Sequence, residues 1–161
     1  MKKFSTHIDV PAAKRTAMVK LLNEQLIDTL DLYTQVKQAH WNVKGMHFIA
    51  LHELFDKLAE EAEDYIDDLA ERATALGGVA RGTAREVAAK SRLPEIALGG
   101  LAGEDALTAL VERYGLLGAS TRKATDTADA AGDADTADLF TGISRGLDKS
   151  LWFLEAHLQQ G

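Results

Sequence analysis

Apolar residues recur along most of the chain with the three-to-four-residue period of an amphipathic helix. In "AAKRTAMVKLLNEQLIDTLDLYTQVKQAHW" the apolar positions Met18, Leu21, Leu22, Ile27, Leu30 and Tyr33 follow that period. Asp9 ahead of Pro11 predicts the helix start. Val43-Lys44-Gly45 breaks the pattern, and Gly45 is a natural stop. A second helix is predicted from about His47 to Leu76, with Leu51, Leu54, Phe55, Leu58, Ala62, Tyr65, Ile66, Leu69 and Ala73 on its apolar side. Gly77-Gly78 ends it. One short helix, about 83–91, lies inside the long stretch that follows. Two further long helices are predicted, Glu104–Asp129 and Ala134–Leu158, with the turn "AAGD" at 130–133 between them. The closing "LWFLEAHLQQG" is apolar enough to dock on the body.

Four long helices with one long crossover form the ferritin-like arrangement of a helix bundle. The expected fold is therefore all-α: a four-helix bundle with a short extra helix in the connection between helices two and three. Residues 1–10 are expected to be a short N-terminal tail and 11–161 the bundle domain. The length of 161 residues suits one domain with its own core.

Composition narrows the chemistry. The absence of cysteine excludes disulfides, zinc–thiolate sites and iron–sulfur clusters. No apolar run is long enough to span a bilayer, and "MKKFSTHIDVPAAKR" lacks the apolar segment of a signal peptide. A soluble, cytoplasmic protein is expected, with no membrane partner. The net charge of −7 disfavours nucleic acid as a partner for the body and favours cations wherever acids share a space.

The candidate chemistry sits around "KQAHWNVKGMHFIALHELFD", residues 37–56, which holds three of the five histidines. On helix two, His52 and Asp56 are four residues apart, as are Asp67 and Glu71. At about 100° per residue, Asp56 lies roughly 40° round from His52, Asp67 roughly 60° and Glu71 roughly 100°. All four share one stripe, and His40, just before the turn, can approach its N-terminal end. Imidazoles and carboxylates without thiolate suit iron, manganese or zinc. Yet His52 and Glu71 are about 28 Å apart on a straight helix. An antiparallel two-fold dimer brings His40, His52 and Asp56 of one chain against Asp67 and Glu71 of its partner. His47, His7 and His157 are read as helix-end residues rather than ligands. Glu60, Glu61, Glu63 and Asp64 are read as a solvated face.

The run "HWNVKGMHFIALHELFD", followed by "DDLAERATALGG", resembles the signature of the Dps proteins, the DNA-binding proteins from starved cells, which are the ferritin-like mini-ferritins of bacteria. The likeness covers nearly the whole chain, including the short helix and the closing "DKSLWFLE". It implies a hollow homo-oligomeric shell of twelve subunits with ferroxidase centres at two-fold interfaces. By motif position, His40, His52 and Asp56 come from one subunit and Asp67 and Glu71 from its neighbour, with two iron ions (Fe2+/Fe3+) possible per centre. The family oxidises Fe(II), preferentially with hydrogen peroxide rather than dioxygen, stores ferric mineral inside, and so protects DNA. The chain has no Glu-x-x-His, the pair that marks the single-subunit di-iron site of larger ferritin-like proteins. Trp41 is either an electron donor beside the centre or a packed aromatic; Lys37 either pairs with a site carboxylate or faces solvent. The short tail offers DNA only Lys2, Lys3 and the terminal amine, so DNA binding is expected to be weak or absent. The alternative reading is a helical shell that binds metal or packs DNA without significant turnover.

Overall fold

The computed structural model describes residues 4–99 and 101–159. Helix α1 (Ala12–Asn42) begins behind Pro11, whose φ of −54° already suits a helix entry. No side chain caps this start, so Asp9 does not act as the cap. The α1 stripe Met18, Leu22, Leu26, Leu32 and Val36 is buried. The chain then reverses through Gly45, whose φ of +117° is a left-handed value that a side chain would strain. Helix α2 (Phe48–Ala75) follows. His47 stands at its N-cap position but makes no side-chain capping bond.

Helix α3 (Ala84–Lys90) is the short helix of the connection, capped by Thr83, which accepts from the Glu86 amide. Helices α4 (Gly103–Ala130) and α5 (Ala134–Ala156) complete the bundle. Asp133 caps α5 by accepting from the Thr136 amide. Two two-residue strands, β1 (Val43–Lys44) and β2 (Leu101–Ala102), pair in parallel. The periodicity did not foresee them, because a two-residue strand carries no period. They matter for topology. They tie the start of α4 to the turn between α1 and α2, so α2 and α4 begin at the same end. The segment between them must therefore run the length of the bundle, which is the ferritin-like crossover.

The core is continuous through all four long helices. Tyr114, Phe55, Phe140, Leu22, Leu69 and Leu147 are each under 2% exposed. Each such apolar side chain contributes about 1.5–3 kcal/mol on burial. The closing segment docks only in part: Leu154 is buried, but Trp152 is 60% and Phe153 36% exposed.

One acid departs from the sequence expectation. Glu61 is not simply solvated; it is half-buried and accepts from the Tyr65 hydroxyl (2.8 Å) and from Ser150 of α5. Burial and this carboxylate hold the Tyr65 hydroxyl well above its ordinary pKa. The hydroxyl fits because position 146 has no side chain: a Cβ there would stand 1.7 Å from the Tyr65 oxygen. Gly146→Ala should therefore lower the thermal midpoint by several degrees. Tyr65→Phe removes the clashing oxygen and should restore part of the loss in the double variant. Strict additivity of the two changes in thermal unfolding would contradict this packing.

Candidate metal centre

The end of α1 and the start of α2 are joined by their histidines. His40 Nδ1 lies 2.8 Å from the His52 carbonyl oxygen, and His52 Nδ1 lies 2.9 Å from the His40 carbonyl oxygen. A carbonyl oxygen only accepts, so Nδ1 donates in both rings. The exchange satisfies one of the carbonyls that the end of α1 leaves without a helical partner. It also stacks the rings, with centroids 3.8 Å apart and planes 21° apart. Phe48 adds a third ring, 5.1 Å from His52. With Nδ1 committed, Nε2 is the nitrogen each ring can offer to a metal, the arrangement in which a carbonyl fixes the tautomer of a ligating imidazole.

Asp56 lies one turn along α2. Its Oδ1 is 3.8 Å from His40 Nε2 and 2.7 Å from Lys37 Nζ. The hydrogen bond from Lys37 is the main reason the Asp56 carboxyl sits below its ordinary pKa; the Lys37 charge and the two imidazoles act in the same sense. Lys37 thus pairs with Asp56 rather than merely facing solvent. Its ammonium also stands 6.0 Å from the Trp41 ring centre. Trp41 itself is 62% exposed, so it is not a packed aromatic within its own chain.

His40 therefore lies against both His52 and Asp56, with His40 8% exposed and the other two half-buried. Asp67 and Glu71 do not join them. Both are exposed, three and four turns further along α2. Among the described residues, no three His, Asp or Glu side chains of one chain converge closely enough to hold a metal ion. No helix among the described residues is long and apolar enough to cross a membrane. The tail residues Lys2 and Lys3 lie outside the described residues. The segment that follows them lies against the body: the Phe4 amide donates to the Gly77 carbonyl at 3.0 Å, and Arg15 donates to the Ile8 and Val10 carbonyls.

A family model described as a ferritin-like domain matches residues 19–161. The chain belongs to the ferritin-like family, in its Dps branch. It is 45% identical over 160 residues to a DNA protection during starvation protein of Agrobacterium fabrum, with 99% of each chain covered. It is 37% identical to a protein of the same name from Brevibacillus brevis, covering 86% of this chain and 93% of that one. Among solved structures, DpsC from Streptomyces coelicolor superposes with a TM-score of 0.95 at 31% identity, covering 99% of this chain and 94% of that one. The Dps branch is associated with iron storage and with protection of DNA from oxidative damage, which places this chain broadly among iron-handling oxidoreductases.

The interactions that sequence spacing missed are the backbone-mediated ones. A pair of histidines twelve apart signals proximity, but nothing in the letters says that each ring bonds the other's carbonyl. Two outcomes follow from this geometry. In its singly protonated form each ring should carry the proton on Nδ1, read from two-bond nitrogen–proton correlations; a neutral ring protonated on Nε2 would contradict the pairing. A depressed carboxyl pKa means the Lys37–Asp56 contribution is complete at neutral pH and lost as pH falls through the lowered pKa. Lys37→Met should move the Asp56 titration upward, followed by carboxyl carbon shifts; an unmoved titration would contradict the pairing.

Proposed function

We propose that the chain is a ferroxidase subunit whose centre is shared between two-fold related chains, with His40, His52 and Asp56 from one and Asp67 and Glu71 from the other. The observation that carries this reading is the incomplete donor set. Two imidazoles with Nε2 available and one carboxylate lie at one end of α2, while two exposed carboxylates, without a charged partner among the described residues, stand on the same stripe too far away to join them. An isologous interface repeats every contact in reverse, so one interface completes two sites.

Fe(II) is the substrate. Neutral imidazole and carboxylate oxygen are suitable donors for it. Three carboxylates in one centre lower the cost of the extra positive charge on Fe(III), and so favour oxidation. Hydrogen peroxide is the proposed preferred oxidant. Two Fe(II) each give up one electron, the O–O bond of peroxide breaks, and with two protons two waters form. Taking both electrons at one centre avoids release of hydroxyl radical, which is the physical route by which DNA is spared. Lys37 holds Asp56 in place through Oδ1 before iron arrives, which leaves Oδ2 to meet the ion. The ferric product is stored inside a hollow homododecamer in the cytoplasm.

Direct DNA binding is proposed to be weak or absent. Each chain carries −7, and a repeated short tail must act against that field. A gel shift at low salt should show little retardation; tight binding would overturn this part of the proposal.

The function is tested by adding Fe(II) anaerobically to the purified protein and then peroxide, or dioxygen in parallel. Ferric absorbance should rise faster than in buffer, faster with peroxide than with dioxygen, and the ferric product should stay soluble with the protein. Oxidation at the buffer rate would favour the metal-binding reading without turnover. Sharing is tested separately. His52→Ala and Glu71→Ala should each lose most activity, and the two co-assembled from denatured chains should recover roughly a quarter of the sites, because half of the two-fold pairs are mixed and each mixed pair has one intact site. No recovery despite proven co-assembly would place the centre within one chain.

A further inference from the structure

Asp67 and Glu71 have a requirement that His40, His52 and Asp56 do not. The histidines lock each other, and Asp56 is held by Lys37. Neither Asp67 nor Glu71 forms an ion pair among the described residues, and both face outward. Their position depends entirely on how the last turns of α2 are set.

The residue after Glu71 sets them. Arg72 Nη2 donates to Asp133 Oδ1 at 2.9 Å, and Arg72 Nε donates to Thr136 Oγ1 at 3.0 Å. Thr136 Oγ1 in turn donates to Asp133 Oδ2 at 2.7 Å, closing a ring of three side chains. Asp135 stands 3.8 Å from the other Arg72 nitrogen. Asp133 is 2% exposed and Thr136 fully buried, so the Arg72 charge is anchored in a site where water offers little competition. A planar guanidinium held by two acceptors fixes direction as well as distance.

The clamp acts on the rotation of α2 about its axis. Arg72 is about 100° round the helix from Glu71 and roughly 140° from Asp67, so it anchors the flank that the two carboxylates leave free. With side chains reaching about 5–6 Å from a helix axis, a turn of about 20° carries a carboxylate roughly 2 Å. That is a whole metal–oxygen bond. We infer that Arg72, held by Asp133 and Thr136, is a positioning residue for the carboxylate half of the shared centre: it sets the rotation of the end of α2 so that Asp67 and Glu71 meet the neighbouring chain's histidines. The inference rests on the shared-site reading above.

Complementation separates this role from a general loss of stability. Arg72→Gln should slow peroxide-driven Fe(II) oxidation on the order of tenfold to a hundredfold, the scale of a misplacement of an ångström or so. Its own His40, His52 and Asp56 remain intact. Co-assembled with His52→Ala, it should therefore regain activity to the level that His52→Ala and Glu71→Ala reach together. Co-assembled with Glu71→Ala, it should regain none, because both chains then lack a working carboxylate half. Thr136→Val removes the acceptor of the Arg72 Nε proton and the donor to Asp133 Oδ2 but leaves the Arg72–Asp133 bond; it guards against an Arg72→Gln chain that fails to assemble, and should show the same pattern with a smaller loss. An Arg72→Gln rate equal to wild type would overturn the inference. So would equal recovery with both partners, or recovery with neither while the His52→Ala and Glu71→Ala pair recovers. Failure of that last control pair would instead overturn the shared site itself.

Discussion

The paired bonds between His40 and His52 hold the end of α1 against the start of α2 and are what the proposed centre rests on. Each imidazole gives its Nδ1 proton to the other residue's backbone carbonyl. Two of the proposed metal ligands are thereby made part of the fold. The same contacts close the end of α1 onto the start of α2, fix both tautomers and leave both Nε2 atoms available. Gly45 makes this possible, because its left-handed backbone lets the chain reverse tightly enough for the two helices to meet ring to ring. Lys37 completes the arrangement by keeping a cation against Asp56.

The second constraint is the length of a straight helix. Residues 52 and 71 belong to one helix and are about 28 Å apart. In our proposal this distance is the reason for assembly: a chain that carries both halves of a centre at opposite ends of one helix can complete neither alone. Quaternary structure is then part of the chemistry, and the rotation of α2 becomes a catalytic variable. The ring of Arg72, Asp133 and Thr136 ties that variable to the cap of α5, so the turn between α4 and α5 bears on the centre without touching it.

Most of the architecture was legible in the letters, because apolar period and glycine placement act locally. All five helices fall within a few residues of their expected bounds, the largest shift being at the end of α5, and Gly45, Gly77 and Gly132 mark reversals with positive φ. The approach of His40 to His52 and to Asp56 was legible too, from the turn and the four-residue spacing. Three features were not. The β1–β2 pairing joins residues far apart in sequence and is too short to leave a pattern. Glu61 looked like one more acid in "EEAEDYIDD", and only the packing of α5 reveals its two hydroxyl partners. Asp133 looked like the last residue of a turn; that it caps α5 and also receives Arg72 depends on how α2 crosses α5, which periodicity does not encode.

The central claim is that iron binds between chains, and the most direct measurement is crystallographic. Crystals of the assembled protein, soaked in Fe(II) without oxidant, should give anomalous density at the iron edge beside His40, His52 and Asp56 of one chain, with Asp67 and Glu71 of a two-fold neighbour on the opposite side. Iron held only by residues of a single chain, or bound away from the two-fold interface while these five side chains stay unliganded, would contradict the account.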